Sequence, residues 1–211
     1  MKPLDILYED SFCIVINKPA GLAAQGGKGI TVSLDSILTQ TRSERPLLVH
    51  RLDKDTSGLI LIAKTKAAAS AFSRLLAEKT VVKRYLAICK GKPIQAEGVM
   101  QAELEIQGSV KKSETRYRLL SAGEEFSFVE LELGTGRMHQ IRRHLAIAGT
   151  PVLGDDKYGD FDLNHKLRKT MNLRRLLLHA SRLIIPQTPD GFNIDISAPL
   201  PGYFNDFISG T

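Results

Sequence analysis

The sequence has no long hydrophobic run, few cysteines and no low-complexity tract, and each shortage removes a class of function. The longest apolar stretches, at 12–16 and 59–63, are about five residues, far below the roughly 20 that a membrane-spanning helix needs. The opening Met1-Lys2-Pro3-Leu4-Asp5 lacks the apolar segment of a signal peptide, so a cytoplasmic location is expected. The two cysteines, Cys13 and Cys89, sit in apolar, strand-like runs. They read as buried thiols rather than a disulfide or a metal pair. No internal repeat is evident. A hydrophobic content of 43% and a charged content of 25% are ordinary for a globular chain. Its 211 residues can bury one good core, or two lobes around a shared one.

Positive charge is in excess. The net charge is +6 and the isoelectric point about 9.3, which favours a polyanionic partner, most simply nucleic acid. The cations are clustered: Lys166, Arg168, Lys169, Arg174 and Arg175 lie together with no acid among them, Lys111, Lys112, Arg116 and Arg118 form a second group, and Lys79, Lys83 and Arg84 a third. One such cluster is more often a solvated face than a binding site. Three in one basic chain point to phosphate contacts.

One stretch organises the chain. The apolar runs 47–49 and 59–63 read as buried strands. Between them a loop presents His50, Arg51, Asp53, Lys54, Asp55, Thr56 and Ser57, and Gly58 lets the backbone turn into the second strand. Rigid strands holding a charged loop are a means of positioning chemistry. Taken by residue type alone, Asp55, Thr56 and Ser57 are turn formers.

Before that stretch, residues 5–8 and 12–16 read as strands, 17–21 as a turn and 25–29 as a glycine-rich loop too irregular for a phosphate-binding P-loop. Thr31 or Ser33 can cap a short helix running through Leu38. After it, Thr65 can cap a helix over 66–79 with Ala68, Phe72, Leu75 and Leu76 facing the core. Strands are expected over 81–89, 99–106, 115–120 and 126–133, with a bulge where the apolar parity slips between Phe128 and Val129. A helix over about 138–148 ends at Gly149 and puts Met138, Ile141, Leu145 and Ala148 on one face, with Arg142 on its flank and Arg143 toward solvent. A basic helix over 162–171 and a hairpin of 176–185 with 192–196 across Pro189-Asp190-Gly191 follow, then a short helix after Pro201. This is an α+β pattern.

His50-Arg51-Leu52-Asp53, followed after two residues by Thr56-Ser57-Gly58, resembles the catalytic loop of the RluA-type pseudouridine synthases, which isomerise uridine within RNA. The segment 83–87, Lys-Arg-Tyr-Leu-Ala, resembles that family's tyrosine-bearing strand. The run 136–145, from Gly136 to Leu145, resembles its arginine-bearing helix, and Gly149, Pro151, Gly154, Asp155, Tyr158 and Gly159 continue the pattern. Leu178-His179-Ala180 with Leu183 resembles a late core strand, so the resemblance runs from about residue 5 to 204. Met138 departs from it, since threonine or another polar residue is commoner there.

The resemblance implies a single catalytic domain over 1–211, with a mixed, mostly antiparallel sheet of about eight strands, flanking helices and a central active-site cleft. The family's frequent N-terminal S4-type domain is expected to be absent, because Asp53 lies too near the start to leave room for it. The reaction breaks the C1′–N1 bond, turns the base and joins C1′ to C5 without redox change, so no cofactor is expected. By resemblance Asp53 is the carboxylate acting as nucleophile or base at the sugar, Arg142 its ion-pair partner, and Tyr85 the residue stacked on the target base. Arg51 would help hold the base out of its stack. His50 and His139 would brace the loop and helix beside the substrate, with Arg137 and Arg143 binding it. No metal is expected, because the histidine spacing matches no zinc motif.

The expected partner is RNA. Large-subunit ribosomal RNA comes first, because the Lys-Pro-x-Gly start resembles the large-subunit enzymes, and transfer RNA second. A monomer with no membrane contact is expected. Two other functions fit parts of the sequence. A glycosidase using Asp53 and Asp55 is disfavoured, because paired carboxylates should flank the bond about 5 Å or more apart. A non-catalytic RNA-binding or ribosome-assembly factor would need only the basic clusters.

Overall fold

A computed structural model describes residues 3–42, 45–106, 108–188 and 191–209. In chain order its elements are β1 (Asp5–Glu9), β2 (Cys13–Lys18), α1 (Leu34–Thr41), β3 (Leu47–Leu48), β4 (Ser57–Ala63), α2 (Lys66–Ala77) and β5 (Val82–Lys90). Then come β6 (Glu97–Ile106), β7 (Ser109–Ala122), β8 (Phe126–Leu133), α3 (Gln140–Ile147), α4 (Phe161–Thr170), β9 (Leu178–Ile185), β10 (Ile194–Ser197), a 3-10 turn (Gly202–Phe204) and α5 (Asn205–Ile208). The α+β class stands, with ten strands among the described residues rather than about eight. The chain divides into two compact units, Met1–Lys83 with Ala180–Pro199, and Arg84–His179 with Leu200–Thr211.

In the first unit β2 pairs antiparallel with β1 on one side and β4 on the other. β3 and β9 also neighbour β4, and β10 pairs antiparallel with β9. Every residue of β4 is buried, so its unbroken Leu-Ile-Leu-Ile-Ala run marks a strand covered on both faces. Helix α2 starts at Thr65, whose hydroxyl accepts the Ala68 N–H, and packs Ala68, Phe72 and Leu75 into the core with Cys13, Val15, Leu61 and Phe192. Helix α1 starts in a capping box at Ser33. Pro189 and Asp190 of the expected hairpin turn lie outside the described residues.

In the second unit β5, β8, β7 and β6 pair antiparallel in that order. The parity slip at Phe128 and Val129 is real, but the extra residue lies on the facing strand. Val129 pairs Leu119 and Phe128 pairs Ser121, which leaves Leu120 as the bulge. Strand β7 begins at Ser109, well before the expected 115, because its first half is a hairpin arm whose one apolar residue, Val110, is exposed and sets no alternation. The core gathers Ile88, Phe126, Leu153, Leu167, Leu177, Phe204 and Phe207. Helix α3 is shorter than the expected 138–148, and its buried face differs too. Met138 and Ala148 are exposed, whereas Gln140, Ile141, Arg142, His144 and Leu145 are buried. Cys13 and Cys89 are free, buried thiols, as expected. Among the described residues no helix is long and apolar enough to cross a membrane.

Candidate active site

The loop carrying Asp53 joins β3 to β4, and three features fix its shape from inside its own unit. Gly58 lies within β4 at φ +103°, and a Cβ there would stand 2.2 Å from the Ala180 carbonyl oxygen. Only glycine lets the two backbones approach so closely. His50 turns back onto the strand, where its Nε2 accepts the Leu61 N–H at 3.0 Å. An acceptor at Nε2 puts the ring proton on Nδ1. Burial, helped by the Lys83 charge, pushes the imidazole pKa down to about 3. His50 is thus a neutral brace and not a proton donor at ordinary pH.

The third feature was missed in the sequence. Lys18, read as part of a turn, is the last residue of β2 and is 0% exposed. Its Nζ donates to the carbonyls of Pro19, Leu22 and Lys54 at 3.1, 2.8 and 3.0 Å. The Lys54 carbonyl also accepts the Gly21 N–H at 2.9 Å. All three ammonium donors therefore hold backbone, one of them in the Asp53 loop. Burial lowers the Lys18 pKa to about 8 against the opposing attraction of Asp55 and Asp53. The signal for Lys18 was its place in the Lys-Pro-x-Gly segment. On the loop itself Arg51 is exposed, Asp53 half-buried and Thr56 buried.

The second unit carries the other expected residues. Tyr85 is buried on β5 opposite Leu131 of β8. Arg142, expected on the flank of α3, is only 5% exposed. Its burial is compensated by a bidentate pair with Asp155, Nε to Oδ2 and Nη2 to Oδ1, both at 2.7 Å. Its guanidinium carbon lies 5.3 Å from the centre of the Tyr158 ring. Asp155 also accepts the N–H groups of Lys157 and Tyr158 at 2.9 Å. Burial pushes the Asp155 carboxyl up, but the bonds from Arg142, Tyr158 and Lys157 together outweigh it and leave the pKa below the ordinary value.

The loop behind Asp155 is equally constrained. Asn164 donates to the Asp155 carbonyl and accepts the Gly154 N–H, each at 2.9 Å. Sequence reasoning quoted Asp155 and Tyr158 within a motif without giving them a role. His139 caps α3 from the left-handed region at φ 53°, and its Nδ1 lies 3.0 Å from the Tyr158 hydroxyl. Arg143 donates to the Glu105 carbonyl at 3.0 Å. Arg137 is exposed, with its backbone N–H bonded to Gln140 Oε1 at 3.0 Å. The structure therefore gathers Arg142, His139, Asp155 and Tyr158 in one unit, and His50, Arg51 and Asp53 on one loop of the other.

The family model for RNA pseudouridylate synthases matches residues 12–147. The chain belongs to this family. Family membership makes it an isomerase. It is 40% identical to the ribosomal large subunit pseudouridine synthase C of Rickettsia bellii over 95% of this chain and 69% of that protein. Against the protein of the same name from Buchnera aphidicola the figures are 34%, 97% and 70%. Among solved structures, human RNA pseudouridylate synthase domain containing 4 superposes with a TM-score of 0.80 at 28% identity, over 97% of this chain and 92% of that one. Human RNA pseudouridylate synthase domain containing 1 gives 0.76 at 28% identity, over 94% and 86%.

Proposed function

We propose that this family member converts uridines of large-subunit ribosomal RNA to pseudouridine, with Asp53 as the carboxylate that acts at the sugar. The observation that carries the substrate is the 40% identity, along nearly the whole chain, to a protein named for the ribosomal large subunit. The reaction needs a carboxylate at C1′ or C2′, a base turned out of its stack, and a fixed frame while the freed base rotates. Asp53 supplies the first from a loop whose backbone Lys18 holds and whose His50 is anchored on β4. Arg51, exposed two residues before it, holds the uridine out of the helix.

By resemblance Tyr85 stacks on the target base, and Arg142, on the helix that Asp155 fixes, is the cation that keeps the carboxylate charged. Arg137 and Arg143 take phosphates, with His139 ordering the turn between them. Both units then serve one catalytic activity, as the family match across 12–147 supports. The enzyme works as a monomer in the cytoplasm.

The test is tritium release from RNA labelled at C5 of uridine, using separated ribosomal and transfer RNA from cells lacking the protein. The expected result is release from the large-subunit RNA by the wild type and none by Asp53→Ala, which still binds that RNA. Release from transfer RNA alone would overturn the substrate, and an active Asp53→Ala would overturn the carboxylate.

A further inference from the structure

Residues 136–138 form an exposed tip ahead of α3, and Met138 at 49% exposure is its one large apolar side chain. Single exposed apolar residues are common and usually mean nothing. Met138 differs in how firmly the chain around it is held. Two residues on is Gln140, a buried residue whose amide makes four hydrogen bonds and so reaches back across the tip. Its Oε1 accepts from Thr135 Oγ1 at 2.6 Å and from the Arg137 N–H at 3.0 Å. Its Nε2 donates to the Glu114 carbonyl and to Thr115 Oγ1 on β7, at 2.8 and 2.9 Å. Directly after Met138 is His139, in a left-handed conformation and bonded to Tyr158, whose ring lies against Arg142.

An apolar side chain presented on a fixed backbone loses little freedom on binding. A methionine thioether packs well against π faces. RNA offers such faces where its bases are unstacked and splayed. Arg137, exposed next to it, suits a phosphate of the same strand.

We propose that the Arg137–Met138 tip is a substrate-selecting RNA contact, in which Met138 lies against an unpaired base next to the target uridine and Arg137 binds the adjoining phosphate. This rests on the reading that the chain acts on RNA. The first arm compares wild type, Met138→Thr and Met138→Leu in tritium release from C5-labelled large-subunit RNA of cells lacking the protein. Met138→Thr is expected to lower kcat/KM about tenfold, mainly through KM, because one base contact is lost. Met138→Leu recovers at least about half of the wild-type value, and all three melt alike. A Met138→Thr enzyme within about twofold of wild type, or a Met138→Leu enzyme equally impaired, would overturn the proposal.

The second arm needs no turnover. A photoreactive diazirine side chain at position 138 is expected to cross-link the same RNA within about three nucleotides of a modified uridine. No cross-link, or one to RNA remote from every modified site, overturns the contact. A cross-link to one discrete site with a wild type that releases no tritium overturns the pseudouridine reading and leaves the contact standing.

Discussion

Two loops of this protein differ in which of their own groups are given up to immobilise them. The Asp53 loop is held by side chains that come from outside it or turn back from its edge. Lys18 grips backbone carbonyls, and His50 takes a strand N–H. The 154–159 loop is held by a charge of its own, Asp155, which binds a guanidinium and two backbone N–H groups. The first loop commits His50 to structure and offers another group, Asp53, for the proposed chemistry, whereas the second, whose backbone Asn164 also holds, has committed its carboxylate to structure. The aspartate offered for chemistry and the aspartate that positions should therefore fail differently when removed.

The largest effect expected is at Asp53. Asp53→Ala should lose about three orders of magnitude or more in turnover, with its urea midpoint unchanged. Asp155→Ala should do the reverse in kind. It strips a buried guanidinium of its bidentate partner and is expected to cost about 3–5 kcal/mol in urea unfolding. An Asp155→Ala protein as stable as wild type would erase the contrast. The folded-state pKa of Asp155 is depressed, so its contribution is present above the unfolded value and is lost as pH falls below about 4.

Lys18 sharpens the comparison from the basic side. Its pKa of about 8 in the fold lies below that of the unfolded chain, so burial cost is present below pH 8. As pH rises from 8 toward about 10.4 the unfolded state binds more protons, and stability should gain about 3 kcal/mol from this group. Lys18→Met should abolish that rise in a pH series of urea melts. The smallest effect is at His50, which stays neutral in the fold to about pH 3. Stability should fall by about 2 kcal/mol as pH drops from 6.5 toward 3, a figure reduced for partial exposure. His50→Gln should lack that acid slope; an unchanged slope would assign it to other groups.

Much of the frame was legible because its signals are local. The Leu-Ile-Leu-Ile-Ala run announced β4, Thr65 announced the start of α2, and Gly149 the end of α3 at φ 76°. What escaped depends on partners distant in sequence. A helical wheel keeps an arginine at the margin unless a carboxylate waits for its guanidinium, and Asp155 lies a loop away from Arg142. Lys18 defies the rule that lysine stays in water because three carbonyls converge on it. The parity slip at Phe128 revealed a bulge but not its owner, since either strand of a pair can carry the extra residue. The arm of β7 before residue 115 buries only Ser113 and shows no apolar alternation to read. Of the candidate site, the motif residues were visible and so were the bracing histidines, while the roles of Lys18 and Asp155 in holding them were not.

The close approach of Gly58 to Ala180 also sets a schedule for biosynthesis. Strand β4 emerges from the ribosome early, but its neighbour β9 cannot arrive until residues 64–179 have been added, on the order of ten seconds later at ordinary elongation rates. Through that interval the nascent segment bears an apolar strand with one flank open. A chaperone that shields strand edges would therefore meet this protein before its active-site loop is closed.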